Sequence, residues 1–132
     1  MMKSIDFDTG VRTYAINGDE NNTIKIMISD LNIIDRISGM ENRLSEISEK
    51  FRNMTADQVR EMDIEVRDII NTAFGSDVCT AAFGQVNCCS FLEGGKLLFE
   101  GFVESLSELV RSEIEAMNLE RSPRPEVRRY LE

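Results

Sequence analysis

The chain has 132 residues, 42% of them apolar and 30% charged, with a formal net charge of −9, three cysteines and no histidine. At this length one domain with a hydrophobic core is the expectation, without disulfide or metal staples. The acidic balance disfavours nucleic acid and anionic membrane as partners, since both would repel it, and favours a basic one.

The first element signal runs from Ile5 to Ile16. Phe7 is followed by bend residues at Asp8-Thr9-Gly10, and Val11-Arg12-Thr13-Tyr14-Ala15-Ile16 has the β-branched and aromatic content of a strand. Asn17–Asn22 is turn chemistry. Thr23–Ile28 alternates, with Ile24, Ile26 and Ile28 on one face and Lys25 and Met27 on the other. The expectation is a hairpin over residues 5–28, closed by a loop of about six residues.

Ser29 or Asp30 can cap a helix over residues 30–53. Its apolar positions Ile33, Ile37, Met40, Leu44, Ile47, Phe51 and Met54 alternate spacings of four and three, a seam of coiled-coil grade. The opposite face is charged, with Glu46 and Lys50 paired one turn apart. Thr55-Ala56-Asp57-Gln58 reads as a capping box opening a second helix over 56–74, which Gly75 ends. Asp77 caps a short helix over 77–83, Val86–Leu92 reads as an extended or bent connector, and a long helix runs over 96–119. Its stripe of Phe99, Val103, Leu106 and Val110 is widened by Phe102, Leu109 and Met117. Ser122-Pro123-Arg124-Pro125 stops it and begins a Pro/Arg-rich tail, residues 122–132. The fold class is therefore α+β, mainly α: one domain over 1–121, with an N-terminal β-hairpin packed on a bundle of three to four helices.

Between Ile69 and Phe102 only Asp77, Glu93, Lys96 and Glu100 are charged, and the stretch holds all three cysteines and five of the seven phenylalanines. It is interior or interface. Ile26, Ile37, Leu44, Val66, Ile69, Phe83, Phe99, Val103 and Leu106 are the expected core.

Reactive motifs are weak. Asp19-x-Asn21-x-Thr23 begins like a calcium loop, but Ile24 stands where the sharp turn needs glycine. Gly94-Gly95-Lys96 is followed by Leu97, where a phosphate loop needs a hydroxyl. Glu104 and Glu108 share a helix face without the histidine that a carboxylate metal pair requires. Cys79, Cys88 and Cys89 have no basic sequence neighbour to lower a pKa and no zinc spacing, so buried, reduced thiols are expected. No catalytic role, cofactor or metal is expected. No apolar run approaches the roughly 18 residues that span a bilayer, and no leader follows Met1-Met2-Lys3-Ser4, so the protein is expected to stay where it is made.

Three segments carry a resemblance: Phe7-Asp8-Thr9-Gly10-Val11-Arg12-Thr13-Tyr14-Ala15-Ile16-Asn17-Gly18-Asp19, then Phe74-Gly75 with Val78-Cys79-Thr80-Ala81-Ala82-Phe83-Gly84, and finally Arg124-Pro125 with Arg129-Tyr130. Together they resemble a family of tailed-phage and prophage proteins of Gram-positive hosts that is similar to tail assembly chaperones. The resemblance implies a small acidic protein of the bacterial host cytoplasm that binds the tape measure protein and keeps it soluble while the tail tube grows around it. The tail tube protein is a further candidate partner, and a structural tail or head-tail connector component of the virion is the rival reading. The seam side chains Ile33, Ile37, Met40, Leu44, Ile47 and Phe51 are the expected partner-binding row, because the chain looks too short to use every seam internally. Arg128, Arg129 and Tyr130 of the tail are expected to contact a neighbour. A bare seam also favours self-association, so a homo-oligomer is expected.

Overall fold

The computed structural model describes residues 1–121. Their order is β1 (Val11–Ile16), β2 (Asp19–Met27), α1 (Ile33–Lys50) with a 3-10 turn at Phe51–Asn53, α2 (Ala56–Phe74), α3 (Cys79–Phe83) and α4 (Leu98–Arg121). This is the expected α+β, mainly α architecture, a two-stranded antiparallel hairpin with four helices among the described residues.

The hairpin differs from expectation at both ends. Ile16 pairs with Asp19 across a two-residue turn in which Asn17 and Gly18 both have positive φ, 51° and 78°. That is the turn whose twist matches the strands it joins, and Asn-Gly is its preferred sequence, so the six-residue loop is replaced. The surplus residues Glu20–Asn22 form an irregularity in β2, because the register shifts between Ala15 and Ile16. Asn22 Nδ2 donates to the Ala81 carbonyl (2.8 Å) and ties this irregularity to α3. At the other end the hairpin begins at Val11, not Ile5: residues 1–9 form no regular element and are exposed. A strand needs a partner, and β2 ends where these residues would require one.

Gly10 closes the paired region. Its carbonyl accepts from the Ile28 amide (3.2 Å), and Ser29 Oγ donates to the Thr9 carbonyl (2.7 Å). Its φ is +78°, and a Cβ there would lie 2.4 Å from Ser29 Cβ. Gly10→Ala therefore adds a collision to backbone strain and should lower stability by roughly 2 kcal/mol. Gly18→Ala, at the same φ but with nothing within 4 Å of the added carbon, should lose about half as much. Urea unfolding of the two variants side by side checks the difference.

The helix signals act as local chemistry dictates. Asp30 does not cap α1 directly; its carboxylate accepts from the Asn32 amide (2.9 Å), and Ile33 begins the helix. Both bonds of the Thr55/Gln58 capping box are present, and Gly75 ends α2 in the left-handed conformation. Asp77 accepts from the Thr80 amide and Asn71 Oδ1 from the Val78 and Cys79 amides, so two side chains replace the missing helical acceptors where α3 starts. Before α4 the connector bends back on itself, with Leu92 donating to the Lys96 carbonyl (2.7 Å) around the positive-φ pair Gly94-Gly95.

One continuous core results. Ile24, Ile26 and Ile28 turn inward from the hairpin, and Val66, Ile69, Ile70 and Phe74 from α2 and Phe99, Val103, Leu106 and Val110 from α4 join the α1 seam. All nine expected core residues are buried. Phe51 meets Phe99 edge to face with ring centres 6.5 Å apart, fastening the end of α1 to α4. Arg111 of α4 reaches Glu41 and Ser38 of α1, and Arg36 Nε donates to the Ala73 carbonyl of α2 (3.0 Å).

Candidate partner-binding surface

The expected binding row is not on the surface. Ile33, Ile37, Met40, Leu44, Ile47 and Phe51 are 0–8% exposed, and α1 contacts both α2 and α4 of its own chain. This corrects the expectation that the seam faces a partner: α1 lies between two helices whose apolar faces together cover its seam. Arg128, Arg129, Tyr130 and the rest of the tail lie outside the described residues.

The three thiols lie inside the domain, and the hydrogen bond with Cys88 lowers the pKa of Cys89 while raising that of Cys88. All three are free and buried. Burial pushes Cys79 up to about 12, and a hydrogen bond with Cys89, burial and the Asp63 carboxyl hold Cys88 in its protonated form. Among the described residues no three His, Cys, Asp or Glu side chains converge as a metal site, and no helix is long and apolar enough to cross a membrane.

The polar centre of the domain is Asp63 and Arg67, one turn apart on α2. Asp63 Oδ1 accepts from Arg67 Nε (3.0 Å) and from the Cys88 amide (2.8 Å), while Arg67 also donates to the Val86 carbonyl (2.6 Å) and lies 5.6 Å from the Phe83 ring centre. One carboxylate and one guanidinium thus bind the α3–α4 connector to α2. Burial raises the Asp63 carboxyl, but the Cys88 amide and Arg67 outweigh it and leave its pKa below the usual value.

An apolar opening lies elsewhere. A groove of about 450 Å³ runs between the hairpin, α3 and α4. Tyr14, Ala15, Ile16 and Ile24 form one wall, Ala82 and Phe83 the end, and Leu98, Phe102, Leu106 and Leu109 the other wall. Phe102 stands edge to face with Phe83 at 5.3 Å, which fixes the floor. Leu92 and Leu109 remain substantially exposed on the lining. Most of the lining is carbon, with few polar groups to orient a small ligand, so the groove suits the apolar row of a protein segment. No family model, curated protein or solved structure matches this chain.

The groove was partly legible in the sequence. Phe102 and Leu109 widen the apolar stripe of α4 beyond what one packing contact consumes, whereas the α1 stripe is narrower. The informative quantity was the width of the stripe, not its regularity.

Proposed function

We propose that this chain is a non-enzymatic assembly factor that binds and shields the tape measure protein during tail morphogenesis in the host cytoplasm, as a tail assembly chaperone does. The observation that carries a binding role is the groove between the hairpin, α3 and α4, an apolar surface bordering the single core of the domain. The tape measure protein as client comes from the resemblance of residues 7–19, of Phe74-Gly75 with residues 78–84, and of Arg124-Pro125 with Arg129-Tyr130 to the phage family. Long amphipathic helices self-associate through their apolar rows, and covering such a row with an acidic, soluble domain prevents it.

Co-expression with a fragment of the neighbouring tape measure gene tests the reading. The fragment should become soluble and co-purify, and Leu109→Asp, a partly exposed groove position, should lose it while melting near the wild-type temperature. Stoichiometric presence of the chain in purified virions would instead favour a structural tail component.

A further inference from the structure

The two edges of the hairpin are treated differently. Along β2, Ser76 Oγ donates to the Lys25 carbonyl (2.6 Å) and Asn22 reaches the Ala81 carbonyl, so α3 and the turn before it cover that edge. Along β1, the bond from Ile28 to Gly10 sets the alternation: Arg12 and Tyr14 turn their backbone groups to β2, and Val11, Thr13 and Ala15 turn theirs outward. Among the described residues the outer edge receives only a 3.3 Å bond from the Arg12 guanidinium to the Val11 carbonyl. An open edge of this kind is a template for another strand. It borders the groove, whose wall includes Tyr14, Ala15 and Ile16. Tyr14 Oη is also enclosed there without a hydrogen-bond partner among the described residues.

The same chain carries a segment with the matching pattern. In Met1–Thr9, Ile5 and Phe7 alternate with Ser4, Asp6 and Asp8, the period of a strand with one apolar face. Nothing of its own chain covers that face: Ile5 is 88% exposed and Phe7 74%. Nine extended residues span about 30 Å, against about 20 Å for the six of β1, so the arm is long enough to follow the whole edge. In its observed course it does not reach its own groove. Thr9 and Gly10 are bonded to Ser29 and Ile28, which carries the line of β1 outward from the end opposite Tyr14–Asn17.

We infer that the arm Met1–Thr9 of one copy adds as a strand to the open β1 edge of a second copy, setting Ile5 and Phe7 into its groove, and that the exchange is reciprocal. Main-chain bonds to Val11, Thr13 and Ala15 supply affinity, and the groove supplies the register by accepting alternate side chains. Reciprocity closes the assembly as a two-fold dimer and covers the β1 edge of both copies. The arm and a client row take the same groove, so exchange and client binding are alternative occupancies of one surface.

Sedimentation of the full chain should show a dimer that dissociates on dilution. Phe7→Asp should weaken it by more than about tenfold, as loss of a central aromatic anchor does. Deleting residues 1–9 should give a monomer that melts near the wild-type temperature, because no arm residue belongs to the core. Phe7→Cys and Leu109→Cys, made in separate chains, should form a disulfide between copies only on mixing, since the three native thiols are buried. A chain that is monomeric at every concentration, or a dimer that survives loss of the arm, overturns the inference. Client solubilisation is read separately. An armless monomer that still solubilises the client supports both readings, and an armless monomer whose client precipitates leaves the exchange intact while removing the chaperone function.

Discussion

Ile37→Glu is expected to abolish the cooperative melting transition. Ile37 is fully buried in the second turn of α1, a helix that contacts both α2 and α4. Glutamate there forfeits the burial of a branched side chain, about 2–3 kcal/mol, and forces a carboxylate to ionise without a partner or to remain protonated in an apolar site. With a total stability of about 5–15 kcal/mol for a domain, the sum of these costs removes most of the margin. The expected result by calorimetry and near-ultraviolet circular dichroism is loss of the unfolding peak and of fixed aromatic signals. Glu46→Ala on the exposed face of the same helix should stay within about 0.5 kcal/mol of wild type. A folded Ile37→Glu variant that had lost only a partner would place the seam on the surface.

Asp63→Ala should cost about 1–3 kcal/mol at neutral pH, because it leaves the Cys88 amide without its acceptor and a half-buried Arg67 guanidinium without its carboxylate. The connector that holds Cys88, Cys89 and the start of α4 then loses its tie to α2. The pH dependence has a definite sign. The folded-state pKa of Asp63 lies below its ordinary value of 3.8, so its contribution is present above that value and disappears as pH falls through the lowered one. Asp77, held down by the Thr80 hydroxyl and amide, adds to the same acid limb. Chemical denaturation across acid pH should therefore show the gap between wild type and Asp63→Ala closing as pH falls below 3.8. A gap that is constant with pH would mean that the aspartate acts through packing alone.

The amino-acid sequence by itself determined the local elements, because their causes are local. Thr55 and Gln58 find each other within one turn, Gly75 relieves the end of α2 wherever that helix packs, and the alternation of Ile24, Ile26 and Ile28 has a face in any strand. Helix limits and the core residues followed from these periods to within a few positions. The turn at Asn17-Gly18 was equally local and was obscured only by the polar run Asp19–Asn22, which resembles a loop but is absorbed as an irregularity in β2.

What only the tertiary structure decided is which apolar rows meet each other. The α1 seam and the α4 stripe are alike as patterns, and periodicity states that a face must be covered without stating by what. In the folded chain α2 and α4 converge on α1 and consume its seam, while α4, wider than its own contact, leaves Phe102 and Leu109 to line a groove with Tyr14 and Ile16. Covering the β2 edge with Ser76 and Asn22 while leaving β1 open is likewise a matter of where distant segments pass one another. The physical reason is the same in each case. Capping and alternation are set by neighbours a few bonds apart, whereas exposure is set by the competition of all apolar faces for one core, which exists only once the chain has folded.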